Sequence, residues 1–310
     1  MMLFKIIAAI LTIIMASGCT AVKNVLPEEA VTTASEAIPD EKVQSVSAML
    51  ECRHYTENNF RLSDLRGSAY KADGEILCGV VPHHLTAGYF ISGFLKSAAE
   101  NRRNIETVVI IAPLHYESIN GFSTTDRDWV TPFGILETDS EITGLFKEKL
   151  GAVCDDEMLQ QDHSASSHIP FVKYYLPEAK SACLLIAPQN DGAIPEETAL
   201  LLSEIAKKKS CLFLFSIDFS HYLSPEEADY YDAITLDAVL SGDTEEIEAM
   251  TNNNVDSPIC LSAYVRLSEL LGGKITAADN SNTWKITELP YNRETFPEGV
   301  TSYFTFITTR

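Results

Sequence analysis

The chain reads as an α/β protein: a single domain with a central, mostly parallel sheet flanked by helices. Three observations predict it. Four short runs, EILCGVV (75–81), TVVIIA (107–112), ACLLIA (182–187) and CLFLFS (211–216), are apolar at consecutive positions, the pattern of strands covered on both faces. Stretches with helical apolar spacing separate them. Strands alternating with helices close into a largely parallel sheet, and neither an internal repeat nor a linker interrupts the body.

The first residues read as an address. MMLFKIIAAILTIIMASGCTA carries one Lys, an apolar run to Met15, then Ala16, Ser17 and Gly18 before Cys19. Residues 1–18 are expected to be a lipoprotein signal peptide, because a Cys directly after the small residues resembles a lipobox, with Cys19 as the lipidated residue. The expected location is extracytoplasmic, anchored to the membrane through Cys19. Residues 19–45 mix Thr, Ala, Ser, Pro and acids without apolar periodicity and read as a flexible tether.

The folded domain is expected over 46–310. After the first strand, residues 88–102 form a helix, and helices are expected again over 141–150, 168–176 and 195–209. Ser224 followed by Pro and two Glu opens a helix over 224–242. Shorter and longer helices follow over 243–250 and 258–273, the last stopped by Gly272-Gly273. The tail, KITAADN, WKITELPYN and GVTSYFTFITT, reads as three further strands.

Composition narrows the function. With 23 Lys+Arg against 44 Asp+Glu the formal charge is −21, which argues against a nucleic-acid partner and a polybasic membrane surface. Seven cysteines in 310 residues are no disulfide scaffold, and Cys78, Cys183 and Cys211 fall in expected core strands as buried thiols.

The histidines supply the chemistry. His83 and His84 follow the first strand, His115 the second and His221 the last inner strand, each just beyond a carboxyl end, where open α/β sheets bind ligands. Neutral imidazoles gathered there suit iron, copper or zinc, with a spare histidine as acid or base. His163 and His168, five apart in DHSASSH, are candidates for the same pocket. Asp218, three before His221, is a candidate to orient that ring or a bound water. Cys260, at a helix start in DSPIC, suits a thiolate ligand.

The ordered segments VPHH, IIAPLHY, TPFG, DHSASSHIP, SIDFSHY and SPIC resemble the Memo family, whose prokaryotic branch is called AmmeMemoRadiSam system protein B, over about residues 75–308. The Memo fold is similar to that of class III extradiol ring-cleaving dioxygenases. The resemblance implies one metal ion, iron(II) or copper foremost and zinc as a third choice, held by His83, His115 and Cys260. It implies catalytic roles for His221 and Asp218, and pocket roles for His163 and His168. An insertion in VPHHLTAGYF leaves His84 as an alternative to His83. The expected function is a lipid-anchored metalloprotein with redox or dioxygenase-like chemistry on a small molecule. The alternative is metal or peptide binding in the same cleft without turnover.

Overall fold

The computed structural model describes residues 49–102, 104–116, 121–188 and 194–310, all within one compact unit, Ser45–Arg310. The signal peptide, the tether and Cys19 lie outside the described residues.

The four apolar runs form the middle of an eight-stranded sheet. They are β2 (Ile76–Val81), β3 (Thr107–Pro113), β8 (Lys180–Ile186) and β9 (Cys211–Ser216), adjacent in the order β2-β9-β3-β8 and mutually parallel. Antiparallel strands flank them: β11 (Ser302–Thr309) and β10 (Lys274–Asn282) on one side, and the short β4 (Phe122–Thr124) on the other, with β7 (Val153–Cys154) at its edge. A small second sheet joins β1 (Leu50–Glu51), β5 (Trp129–Thr131) and β6 (Gly134–Leu136).

The side-chain alternation explains why the inner runs carry no polar face. On β9, Phe213 and Phe215 join one core with Val109, Ile111 and Leu184. Leu212 and Leu214 point the opposite way, into a second core with Val108, Ile110 and Leu185. The first core is closed by α3 (Ser140–Leu150), α7 (Ile194–Ala206), α8 (Pro225–Ser241) and α10 (Pro258–Leu270) through Phe146, Leu202, Val239 and Leu261. The second is closed by α1 (Glu57–Arg66), α2 (Gly88–Asn101) and α6 (Ile169–Tyr175) through Phe60, Phe94 and Phe171. Ser224 caps α8 in a reciprocal box with Glu227, as its sequence signals.

One tail expectation is corrected. Residues 284–292 are not a strand. Asn282 accepts a hydrogen bond from Lys285 N–H and caps a short helix, α11 (Thr283–Thr287), after which the chain runs irregularly to β11. A local side-chain cap outweighs the apolar alternation of WKIT there. The small strands and α4 (Asp156–Gln161), α5 (His163–Ser166) and α9 (Thr244–Glu248) complete the chain.

Asp139 ties three elements at the end of the sheet away from the histidines. It caps α3 through Glu141 and Ile142 N–H, accepts from Thr107 Oγ1 at 2.7 Å, and meets Lys209 Nζ at 2.8 Å and 3.0 Å. Burial raises its carboxyl pKa, but these donors outweigh that and hold it below the usual value. Asp139→Ala is expected to cost about 2–3 kcal/mol, read as a lower Tm at neutral pH. The depressed carboxyl contributes stability above its unfolded pKa of about 3.9 and loses it as pH falls through the folded value. The Tm gap between wild type and variant should therefore narrow in acid.

Candidate metal centre

Because β2, β9 and β3 are neighbours, the loops after their carboxyl ends meet at one rim. They carry His83 and His84, Ser216 to His221, and His115. The fourth contribution is α5, which starts at His163 and is capped by Asp162. One ring nitrogen from each of His83, His115 and His163 lies within 4.8 Å of the others. The His115 and His163 rings stack with centroids 4.7 Å apart, and His83 stands edge-on to both.

Hydrogen bonds set the tautomers of two of these rings. Ser216 Oγ donates to the Ser164 carbonyl at 2.5 Å, so its only proton is used. Its oxygen, 3.1 Å from His83 Nδ1, must accept from an Nδ1–H. The His83 Nε2 lone pair is then free and faces the group. Asp162 does the same for His115: it accepts from the backbone N–H at 2.7 Å and from Nδ1 at 3.0 Å, leaving Nε2 free. Burial alone would raise the Asp162 carboxyl, but these bonds and that from Ser164 N–H bring it down to about 2. Metal-binding imidazoles are oriented in this way by acceptors behind them. No hydrogen bond among the described residues holds the His163 ring, and burial lowers its pKa to about 4.

A carboxylate completes the arrangement. Asp256 Oδ2 lies 3.4 Å from His83 Nε2 and 3.9 Å from His115 Nε2, and it accepts from Asp218 N–H at 3.2 Å. Its Oδ1 is buried without a hydrogen-bond partner among the described residues. Donors about 2.1 Å from one ion lie about 3.0–3.4 Å from each other; this oxygen's 3.4 Å to His83 Nε2 matches that spacing, and its 3.9 Å to His115 Nε2 is somewhat longer. Without a cation, burial and the Asp218 carboxylate push Asp256 well above the usual carboxylate range.

Cys260 is not one of the three residues of this cluster. It is the third residue of α10, fully buried among the apolar side chains of the first core, and burial pushes its thiol up to about 12. Its own N–H donates to the capping Ser257 Oγ at 3.2 Å. Of the DSPIC element, it is Asp256 that reaches the histidines.

The remaining candidates divide. His84 stays outside the three-histidine group; its Nδ1 lies 2.7 Å from Asp218 Oδ2, and this carboxylate overcomes burial to raise the imidazole pKa. Asp218 also accepts from His83 N–H at 3.1 Å. Burial opposes its ionisation, but His83 and His84 hold it well below the usual range. His221 lines the cleft 6.2 Å from the His84 ring, its Nδ1 buried and without a hydrogen-bond partner among the described residues, and burial lowers its pKa. His168 is fully buried, both ring nitrogens without a hydrogen-bond partner among the described residues, its pKa lowered to about 3 by burial. The sequence reading missed Asp162, Ser216 and Asp256. Two had a signal: Asp162 directly precedes His163, and Asp256 opens the DSPIC element.

The group opens into a cleft of about 520 Å³. The far wall is the segment around Phe296–Thr301, clamped where Val300 N–H bonds the Leu223 carbonyl at 2.8 Å. Gly299 makes that clamp possible. It sits at φ +88, and a Cβ there would fall 2.6 Å from the Leu223 carbonyl oxygen.

Comparison with known proteins identifies the family. The family model described as Memo-like protein matches residues 42–284. A MEMO1 family protein of Methanococcus maripaludis is 31% identical over 189 residues, 56% of this chain and 66% of that protein, just under two thirds of its length. One from Archaeoglobus fulgidus is 26% identical over 233 residues, 73% of this chain and 88% of that protein. Among solved structures, an uncharacterized protein of Escherichia coli K12 aligns with a TM-score of 0.44 at 12% identity, over 74% of this chain and 99% of that one. With the family match running through every loop that carries the histidines, the chain belongs to the Memo-like protein family.

Proposed function

We propose that this Memo-family protein is a metalloprotein whose single ion is held by His83, His115 and Asp256, with His163 facing an open position toward the cleft. The observation that carries the reading is the pair of occupied Nδ1 atoms. Ser216 and Asp162 fix both rings so that their free Nε2 atoms converge beside a buried carboxylate oxygen. Two imidazoles and one carboxylate with open positions suit non-haem iron(II). Iron(II), if held by these residues, would supply Lewis-acid and redox chemistry at open positions facing the cleft, in line with the dioxygenase-like expectation.

The chain's own residues would handle protons. His221, kept neutral by burial and lining the cleft, is placed to take one, and Asp218 positions His84 and the His83 backbone. If a substrate turns over, His221→Ala should lower the rate roughly 10²- to 10⁴-fold while metal content stays near wild type. Metal loss matching that of His115→Ala would make His221 a ligand instead.

The test of the function is metal analysis of anaerobically purified protein followed by oxygen uptake with catechol-like compounds. About one iron per chain with substrate-dependent uptake supports the reading. Metal without uptake under any of them favours binding without turnover. The proposal extends to location: the protein is lipid-anchored outside the cytoplasm through Cys19. Cys19→Ser should then abolish lipid attachment and processing, read by membrane fractionation and mass spectrometry. A variant processed and partitioned like wild type would overturn the anchor.

A further inference from the structure

The cleft's charge points to its substrate class. Among the described residues, none of the side chains lining it is Lys or Arg. Arg66 lines the adjoining groove and stacks on the Tyr89 ring at 4.7 Å. Lys285 is engaged by Asp229 at 2.8 Å. Beneath the floor lie three carboxylates, Asp162, Asp218 and Asp256. A divalent ion would carry two charges against these three carboxylates and leave no surplus for an anionic substrate.

The rim adds one more negative group. Among the described residues, Glu298, exposed on the wall held by Gly299, is the one charged residue other than histidine lining the mouth. The rest of the lining suits an uncharged, flat molecule with hydroxyl groups. The imidazoles of His84 and His163 stack within 5.8 Å, Phe296 and Leu289 offer apolar contact, and Thr283 and Thr301 offer hydroxyls. We propose that the cleft takes small neutral or cationic hydroxylated aromatic molecules and rejects anionic ones, with Glu298 as the residue that sets this preference. The inference rests on the reading of this cleft as the substrate site and names what enters it.

Three phenols that share a ring and differ in tail charge make the test: p-cresol, tyramine and 4-hydroxyphenylacetate. Binding to the processed full chain is measured by ligand-observed NMR and calorimetry, with cobalt(II) loading measured separately on the same samples. Tyramine is expected to bind roughly tenfold or more tightly than 4-hydroxyphenylacetate at low salt, the gap shrinking as salt screens the rim. Glu298→Gln should lower tyramine affinity about threefold to tenfold and leave p-cresol unchanged. Glu298→Lys should reverse the order of the two charged ligands. Equal binding of tyramine and 4-hydroxyphenylacetate, unchanged ratios in Glu298→Gln, or no binding of any of the three would overturn the proposal. Charge ranking without cobalt uptake would sink the metal reading and leave this one standing. Cobalt uptake without ranking would do the reverse.

Discussion

His83→Ala should leave the protein nearly metal-free, while His84→Ala keeps its metal. The two residues are adjacent, but only His83 is fully buried with its Nδ1 bonded to Ser216, so only its Nε2 is aimed at the group. Removing a metal ligand should weaken binding by more than the 10–100-fold that follows loss of an outer partner. Binding also stabilises the native state by mass action, about 2.7 kcal/mol when free metal is 100 times Kd. For a domain of this size that is roughly 5–10 °C in Tm. The quantity to compare is therefore the metal-induced shift, not Tm itself, since His83→Ala also opens a cavity in the metal-free state. A wild-type shift in His84→Ala and none in His83→Ala is the expected pair. Equal shifts in both variants would show that the ligand from this loop is misassigned.

The second large effect is expected at a residue that need not touch the metal. Asp162→Ala removes the acceptor of His115 N–H, His115 Nδ1–H and Ser164 N–H together, and with it the cap of α5. A buried carboxylate with three donors should cost about 3 kcal/mol when deleted. It also releases the His115 ring and its tautomer, so metal affinity should fall about 10–100-fold. Asp162→Asn, which keeps the shape, should recover part of the stability and less of the affinity. Metal titration of both variants beside wild type checks this. Unchanged affinity in Asp162→Ala would show that His115 does not depend on its partner.

The sheet was legible because strands buried on both faces must be apolar at nearly every inner position, and the four central runs are. The rim was legible for the same reason: once those runs are strands, the residues after their carboxyl ends must share an edge. The tail was less so, since WKITELPYN alternates like a strand and the Asn282 cap that diverts it is a local contact. The site residues divide along the same line. Histidines announce themselves by type, whereas Asp162 and Ser216 matter through whom they bond, which depends on loops far apart in sequence. In DSPIC the thiol drew attention for its softness. The start of α10 turns Cys260 into the core and leaves Asp256 at the rim, a difference of four residues that only the helix start decides.

X-ray absorption on the iron-loaded or cobalt-loaded protein tests the ligand set most directly. Two imidazoles and a carboxylate predict only nitrogen and oxygen scatterers, at about 2.0–2.2 Å, and histidine multiple scattering. The spectrum should be the same in Cys260→Ser, and the metal should be weakened or lost in Asp256→Ala. A sulfur scatterer near about 2.3 Å that disappears in Cys260→Ser would contradict the account and return the third position to the thiolate.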